Sequence, residues 1–108
     1  MKTGKKIKIM IAEPWDFEGP NGPNEVHGKV CDSRNGKYGK VYLVKAKNRF
    51  VLDGIIVEYM VLSCRNITAS RVGLNICYIP SEKVARFKTL SSIELQKLAF
   101  IMIGSVEL

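Results

Sequence analysis

The sequence predicts a mainly β fold with one helix: a small, partly open β-barrel of five to six strands with a C-terminal helix. Three observations predict it. Apolar and polar residues alternate with a period of two through most of the chain, the mark of strands that turn one face to a core and the other to solvent. Glycine, proline and asparagine signals for tight turns separate those stretches. The 108 residues allow one domain, spanning 1–108, and short strands in so small a domain protect their edges best by curling into a barrel.

The first strand is read from Ile7, Ile9 and Ile11 alternating with Lys6, Lys8 and Met10. The segment 14–24, PWDFEGPNGPN, follows with three prolines and two glycines. It excludes a helix, because proline lacks the backbone donor and fixes φ while glycine favours turns. Val26, Gly28 and Val30 alternate with Glu25, His27 and Lys29 in the second strand. The third covers residues 40–47, KVYLVKAK, after an Asn35-Gly36 turn signal.

Residues 54–64, GIIVEYMVLSC, carry apolar side chains on both faces: Ile55, Val57, Tyr59 and Val61 on one, Ile56, Met60 and Leu62 on the other. Such a strand is expected to be central and covered on both sides. With Asp53-Gly54 as a turn, residues 40–63 form a candidate hairpin across the connection NRFVLDG. Val72, Leu74, Ile76 and Tyr78 define a fifth strand ending at Pro80, after which Ser81 is expected to cap a short turn carrying Val84 and Phe87.

The C-terminal segment fits two patterns. Ser91-x-x-Glu94 is a capping box, and Leu95, Leu98, Ala99 and Met102 recur at helical spacing, so a helix over 92–103 is the preferred reading. Leu98, Phe100, Met102 and Val106 also suit a short helix followed by a closing strand over 98–107. OB-like and SH3-like barrels share this strand count, an analogy of architecture that carries no function with it.

Composition narrows the function. With 46% hydrophobic and 25% charged residues, wholesale disorder and fibrous architectures are excluded. The longest apolar runs, 55–57, 59–62 and 98–103, fall far short of the roughly 20 residues that span a bilayer. Residues 1–12 start basic, but Lys8 interrupts the apolar part, so no targeting signal is read. Cys31, Cys64 and Cys77 are odd in number and include no CxxC pair, which points to a reducing compartment, the cytoplasm, rather than to a disulfide framework.

No catalytic constellation stands out. On a strand, His27 and Cys31 share a face but lie about 13 Å apart at roughly 3.3 Å per residue, too far for direct proton transfer. Cys31, Cys64, Cys77 and His27 offer zinc-ligand types without the close pairs that structural zinc sites use. Gly4-Lys5-Lys6 lacks the upstream glycine of a phosphate loop, and Gly36-x-x-Gly39 follows no dinucleotide-binding pattern. Glu58, among apolar neighbours, reads as a strand carboxylate at an edge or beside a lysine rather than as an acid catalyst. Neither a metal nor a cofactor is expected.

Two features remain. Trp15, Asp16, Phe17 and Glu18 make an acidic, aromatic loop whose rings are expected to cap the core, or alternatively to anchor a partner protein. The second feature is charge. Seventeen Lys and Arg against ten Asp and Glu leave a net charge of +7. Much of the excess is local: Lys29, Arg34, Lys37, Lys40, Lys45, Lys47 and Arg49 stand against the single acid Asp32.

Tyr38 is placed among these cations as a stacking residue, whereas Tyr42 alternates with Val44 toward the core. Lys83, Arg86 and Lys88 are candidates to extend the patch. A solvated face that maintains solubility and guards strand edges would look the same in sequence, and no RNA-binding sequence motif accompanies the charge. The leading expectation is a non-enzymatic barrel that binds nucleic acid mainly through backbone phosphates. The alternative is a protein-interaction module, such as a small inhibitor, immunity-type or assembly protein, using the loop 13–24.

Overall fold

The computed structural model describes residues 1–11, 25–52 and 54–107. Six strands follow one another around a closed barrel: β1 (Lys6–Ile11), β2 (Glu25–Gly36), β3 (Gly39–Leu52), β4 (Ile55–Ile67), β5 (Arg71–Tyr78) and β6 (Phe100–Glu107). Every strand pairs antiparallel with its neighbours in sequence, and β6 returns to β1 through Met10↔Ser105 and Ile11↔Gly104. The mainly β barrel is therefore as the sequence predicts. It is closed rather than partly open, and its up-and-down order differs from the Greek-key path of an OB barrel.

Alternation builds the interior. Ile7, Ile9 and Ile11 of β1, Val26 and Val30 of β2, Val44 and Ala46 of β3, and Leu74 and Ile76 of β5 are all buried in one cluster. The lysines between them are exposed. Tyr42 packs against the same cluster, as expected. Gly28 is inward too: a Cβ there would lie 2.6 Å from Val44 Cγ1 and 2.9 Å from the Lys45 carbonyl oxygen, so only glycine lets β2 approach β3 this closely.

The long strands are broken by β-bulges, which bend them. A straight strand of 14 residues, the length of β3, would run about 43 Å at roughly 3.3 Å per residue, against an extent of 38 Å along the molecule's longest principal axis. Shifts of register between Val30 and Asp32 and between Lys45 and Phe50 mark where the ladder breaks. In β4 the inward face changes across the second shift, with Val57 inside and then Met60 and Leu62. Tyr59 and Val61 face outward into a second apolar cluster. Of the segment NRFVLDG, expected as a connection, NRFVL belongs to β3, and the turn falls at Gly54, whose φ is +76°.

The second cluster lies outside the barrel. Between β5 and β6 the chain forms α1 (Ser81–Val84), a 3₁₀ turn (Phe87–Thr89) and α2 (Ser92–Gln96). Ile79, Phe87, Leu90 and Leu98 pack on Leu43 and Val61, so β4 is covered on both sides where Met60, Val61 and Leu62 sit. The cap of α1 is Pro80, not Ser81. The helix preferred over 92–103 is only α2. Its capping box is present, Ser91 Oγ accepting from Glu94 N at 3.1 Å and Glu94 Oε1 from Ser91 N at 3.3 Å. From Phe100 the chain is strand, because both neighbours of that gap offer unpaired ladders, and β6 fills it.

Candidate functional site

The predicted basic stretch is divided by the fold into separate locations. Lys29 and Lys45 stand directly opposite each other across β2 and β3, and Lys6 of β1 stands opposite Lys29. The result is a row of three exposed lysines over three adjacent strands, about 4.8 Å from strand to strand. Tyr59 of β4 ends the row, with Lys45 Nζ 5.8 Å from its ring centroid. Two residues along, Lys8 pairs with His27 and Lys47 extends the outer face of β3. Lys6, His27, Lys29, Cys31, Lys45 and Lys47 help line a groove of about 390 Å³ on this face.

Like charges directly opposite on a sheet repel and destabilise it. Among the described residues, Lys6, Lys29 and Lys47 have no carboxylate partner. Glu25 lies at the far margin, 3.1 Å from His27 Nε2 and 3.9 Å from Lys8 Nζ. The hydrogen bond with His27 holds its carboxyl below the ordinary range, with Lys8 adding to the effect. Arg49 is exposed beyond Lys47 in a smaller depression shared with Glu25 and His27.

Arg34 serves a different purpose. Its Nη1 donates to the main-chain carbonyls of Phe87, at 2.9 Å, and Leu90. It therefore anchors the helical segment instead of facing solvent with the other cations. Asp32 beside it forms an ion pair with Lys88 at 3.2 Å. Arg86 is paired with Glu94 at 3.2 Å. Of the three residues considered as an extension of the patch, two are thus committed to acids.

Lys37, Tyr38 and Lys40 lie elsewhere again, at the tip of the β2–β3 hairpin. The turn is Lys37-Tyr38, enclosed by the Gly36↔Gly39 pair, two residues beyond the Asn35-Gly36 signal. Gly39 has φ +128°, a conformation that side chains oppose. Lys40 and Lys45 are five residues apart on β3, about 16 Å at roughly 3.3 Å per residue, and Val41 and Leu43 between them lie under the helical segment. The tip overhangs a groove of about 580 Å³ that reaches across β4 and β5 to α2 and Phe100.

Lys6, Lys8, Arg65 and Phe100 are the neighbours that sequence reasoning missed. The outward orientation of Lys6 and Lys8 is readable from Ile7 and Ile9. Their contact with the Lys29 row is not, since it depends on strand register.

Cys31 and Cys64 are exposed and Cys77 is half-buried, all three as free thiols. Burial pushes the Cys77 thiol above its ordinary pKa. No group of three metal-ligating side chains occurs among the described residues. No helix among them is long and apolar enough to cross a membrane. Trp15, Asp16, Phe17 and Glu18 lie outside the described residues. Comparison with protein-family models, curated proteins and solved structures finds no match to this chain.

Proposed function

We propose that the chain is a non-enzymatic, cytoplasmic nucleic-acid-binding barrel that holds backbone phosphates on the outer face of β1, β2 and β3. The carrying observation is the in-register row Lys6–Lys29–Lys45, bordered by Lys8, Lys47 and Arg49. A surface needing only solubility gains nothing from placing cations opposite one another, where they repel. An anionic ligand removes that repulsion, and phosphates along a strand supply repeated anions at the right scale. The free thiols suit a reducing compartment.

The test is fluorescence anisotropy with labelled single-stranded DNA, duplex DNA and RNA across a salt series. Binding with a log–log salt slope of several units, abolished by Lys29→Glu with Lys45→Glu, is expected. Absence of binding to all three at low salt would sink the reading and turn attention to Trp15 and the loop 13–24 as a protein contact.

A further inference from the structure

The groove beneath the β2–β3 tip has a different chemistry from the lysine row. Its volume, about 580 Å³, falls within the roughly 300–1,000 Å³ of small-ligand sites. Lys37, Lys40 and Arg65 supply cations at its margin, and among the described residues its lining contains no carboxylate. Two aromatic rings border it and are left largely in solvent: Tyr38 is 87% exposed and Phe100 58%. Lys37 Nζ sits 5.4 Å from the Tyr38 ring centroid. Asn75 and Gln96 add amide groups able both to donate and to accept.

Burying large rings is the usual outcome of folding, so two exposed ones beside one cationic groove call for a ligand with a flat apolar face and a negative charge. Unpaired nucleotides have both: a π face that stacks on Tyr or Phe, and a phosphate for the lysines. Bases inside a duplex are already stacked and paired, and cannot enter. We propose that this groove receives unpaired bases, with Tyr38 and Phe100 as stacking residues, so that the protein favours single-stranded over duplex nucleic acid.

This rests on the phosphate-binding reading of the β1–β2–β3 face, and the experiment separates the two. A labelled oligothymidine of about 15 nucleotides, near the upper site size of small barrels, is compared with the same strand in a duplex. Tyr38→Ala with Phe100→Ala, which removes two stacking rings, is expected to weaken single-strand binding at least about thirtyfold. Duplex affinity and salt slope should stay unchanged, and Tyr38→Phe should bind like the parent. Melting curves verify folding, and should the double variant fail to fold, the turn substitution Tyr38→Ala alone carries the test.

Unchanged single-strand affinity in the aromatic variant, with loss retained in Lys29→Glu/Lys45→Glu, would overturn the groove assignment and leave the basic face standing. Equal losses on both probes would overturn strand selectivity. A parent protein that binds neither probe would remove both readings together.

Discussion

Arg34 Nη1 reaches the carbonyl oxygen of Phe87 at 2.9 Å, joining β2 to the 3₁₀ turn 53 residues later in the chain. The bulge at Cys31 makes this contact available. Val26, Gly28 and Val30 point inward, so uninterrupted alternation would send Asp32 and Arg34 into the apolar barrel. The register shift between Val30 and Asp32 turns them outward instead. Asp32 then meets Lys88 at 3.2 Å, and Arg34 donates to the Phe87 and Leu90 carbonyls of the helical segment.

Replacing Arg34 by Met keeps the aliphatic stem and removes both charge-assisted hydrogen bonds. A loss of about 2–3 kcal/mol in unfolding free energy is expected, read by urea denaturation. The folded variant should retain the salt slope of nucleic-acid binding. A slope reduced by about one unit with stability intact would instead make Arg34 a phosphate contact.

The lysine row predicts the opposite combination. In Lys29→Gln with Lys45→Gln, relief of cross-strand repulsion should leave stability unchanged or raise it by a few tenths of a kcal/mol, about the scale of a cross-strand pair. The log–log salt slope should fall by about two, one for each lost phosphate contact. Destabilisation together with an unchanged slope would mean that the row has a structural role.

Ser91 and Glu94 predict a pH effect. The backbone hydrogen bond from Ser91 is the main cause holding the Glu94 carboxyl below its ordinary 4.5, with Arg86 contributing. A depressed folded value means that the unfolded chain takes up the proton first. Its stabilisation is therefore complete above pH 4.5 and is lost as pH falls through the folded value. In Ser91→Ala the loss of the cap should cost about 1 kcal/mol. The reciprocal hydrogen bond from Ser91 N would then lose its fixed geometry, and NMR titration should show the Glu94 carboxyl moving back up toward 4.5. An unmoved titration would show that the box does not set it.

Strands β1 and β5, and β2 as far as Val30, were legible because each places apolar side chains at every second residue against one core. The end of β3 was not, since Asn48 and Arg49 lie within, and Phe50 follows, a register shift that resets which face is inside. The choice between helix and strand after Leu98 is decided by β1 and β5, the partners of β6, and local spacing does not record partners. The same limit applies to the site. Outward lysines could be read residue by residue, but the Lys6–Lys29–Lys45 row requires register, and the diversion of Arg34 requires the bulge.

Gly104 tests the closure itself. It pairs with Ile11 across the β1–β6 seam and with Leu74 of β5, so its backbone is held from both sides. A Cβ there would lie 2.8 Å from Ile9 Cγ2, 2.9 Å from the Met10 carbonyl oxygen and 3.0 Å from Ile76 Cδ1. The Ile9 and Ile76 side chains are themselves fully buried and cannot swing away, and the Met10 oxygen belongs to the pairing strand. Gly104→Ala should therefore cost about 1–3 kcal/mol through overpacking. For a domain of about 100 residues that lowers Tm by at least about 4 °C. The loss should appear first as faster amide exchange in β1 and β6, the two strands that separate when the seam opens. A variant with unchanged Tm and protection would show that the seam yields to a methyl group and that closure is looser than the close-packed interior implies.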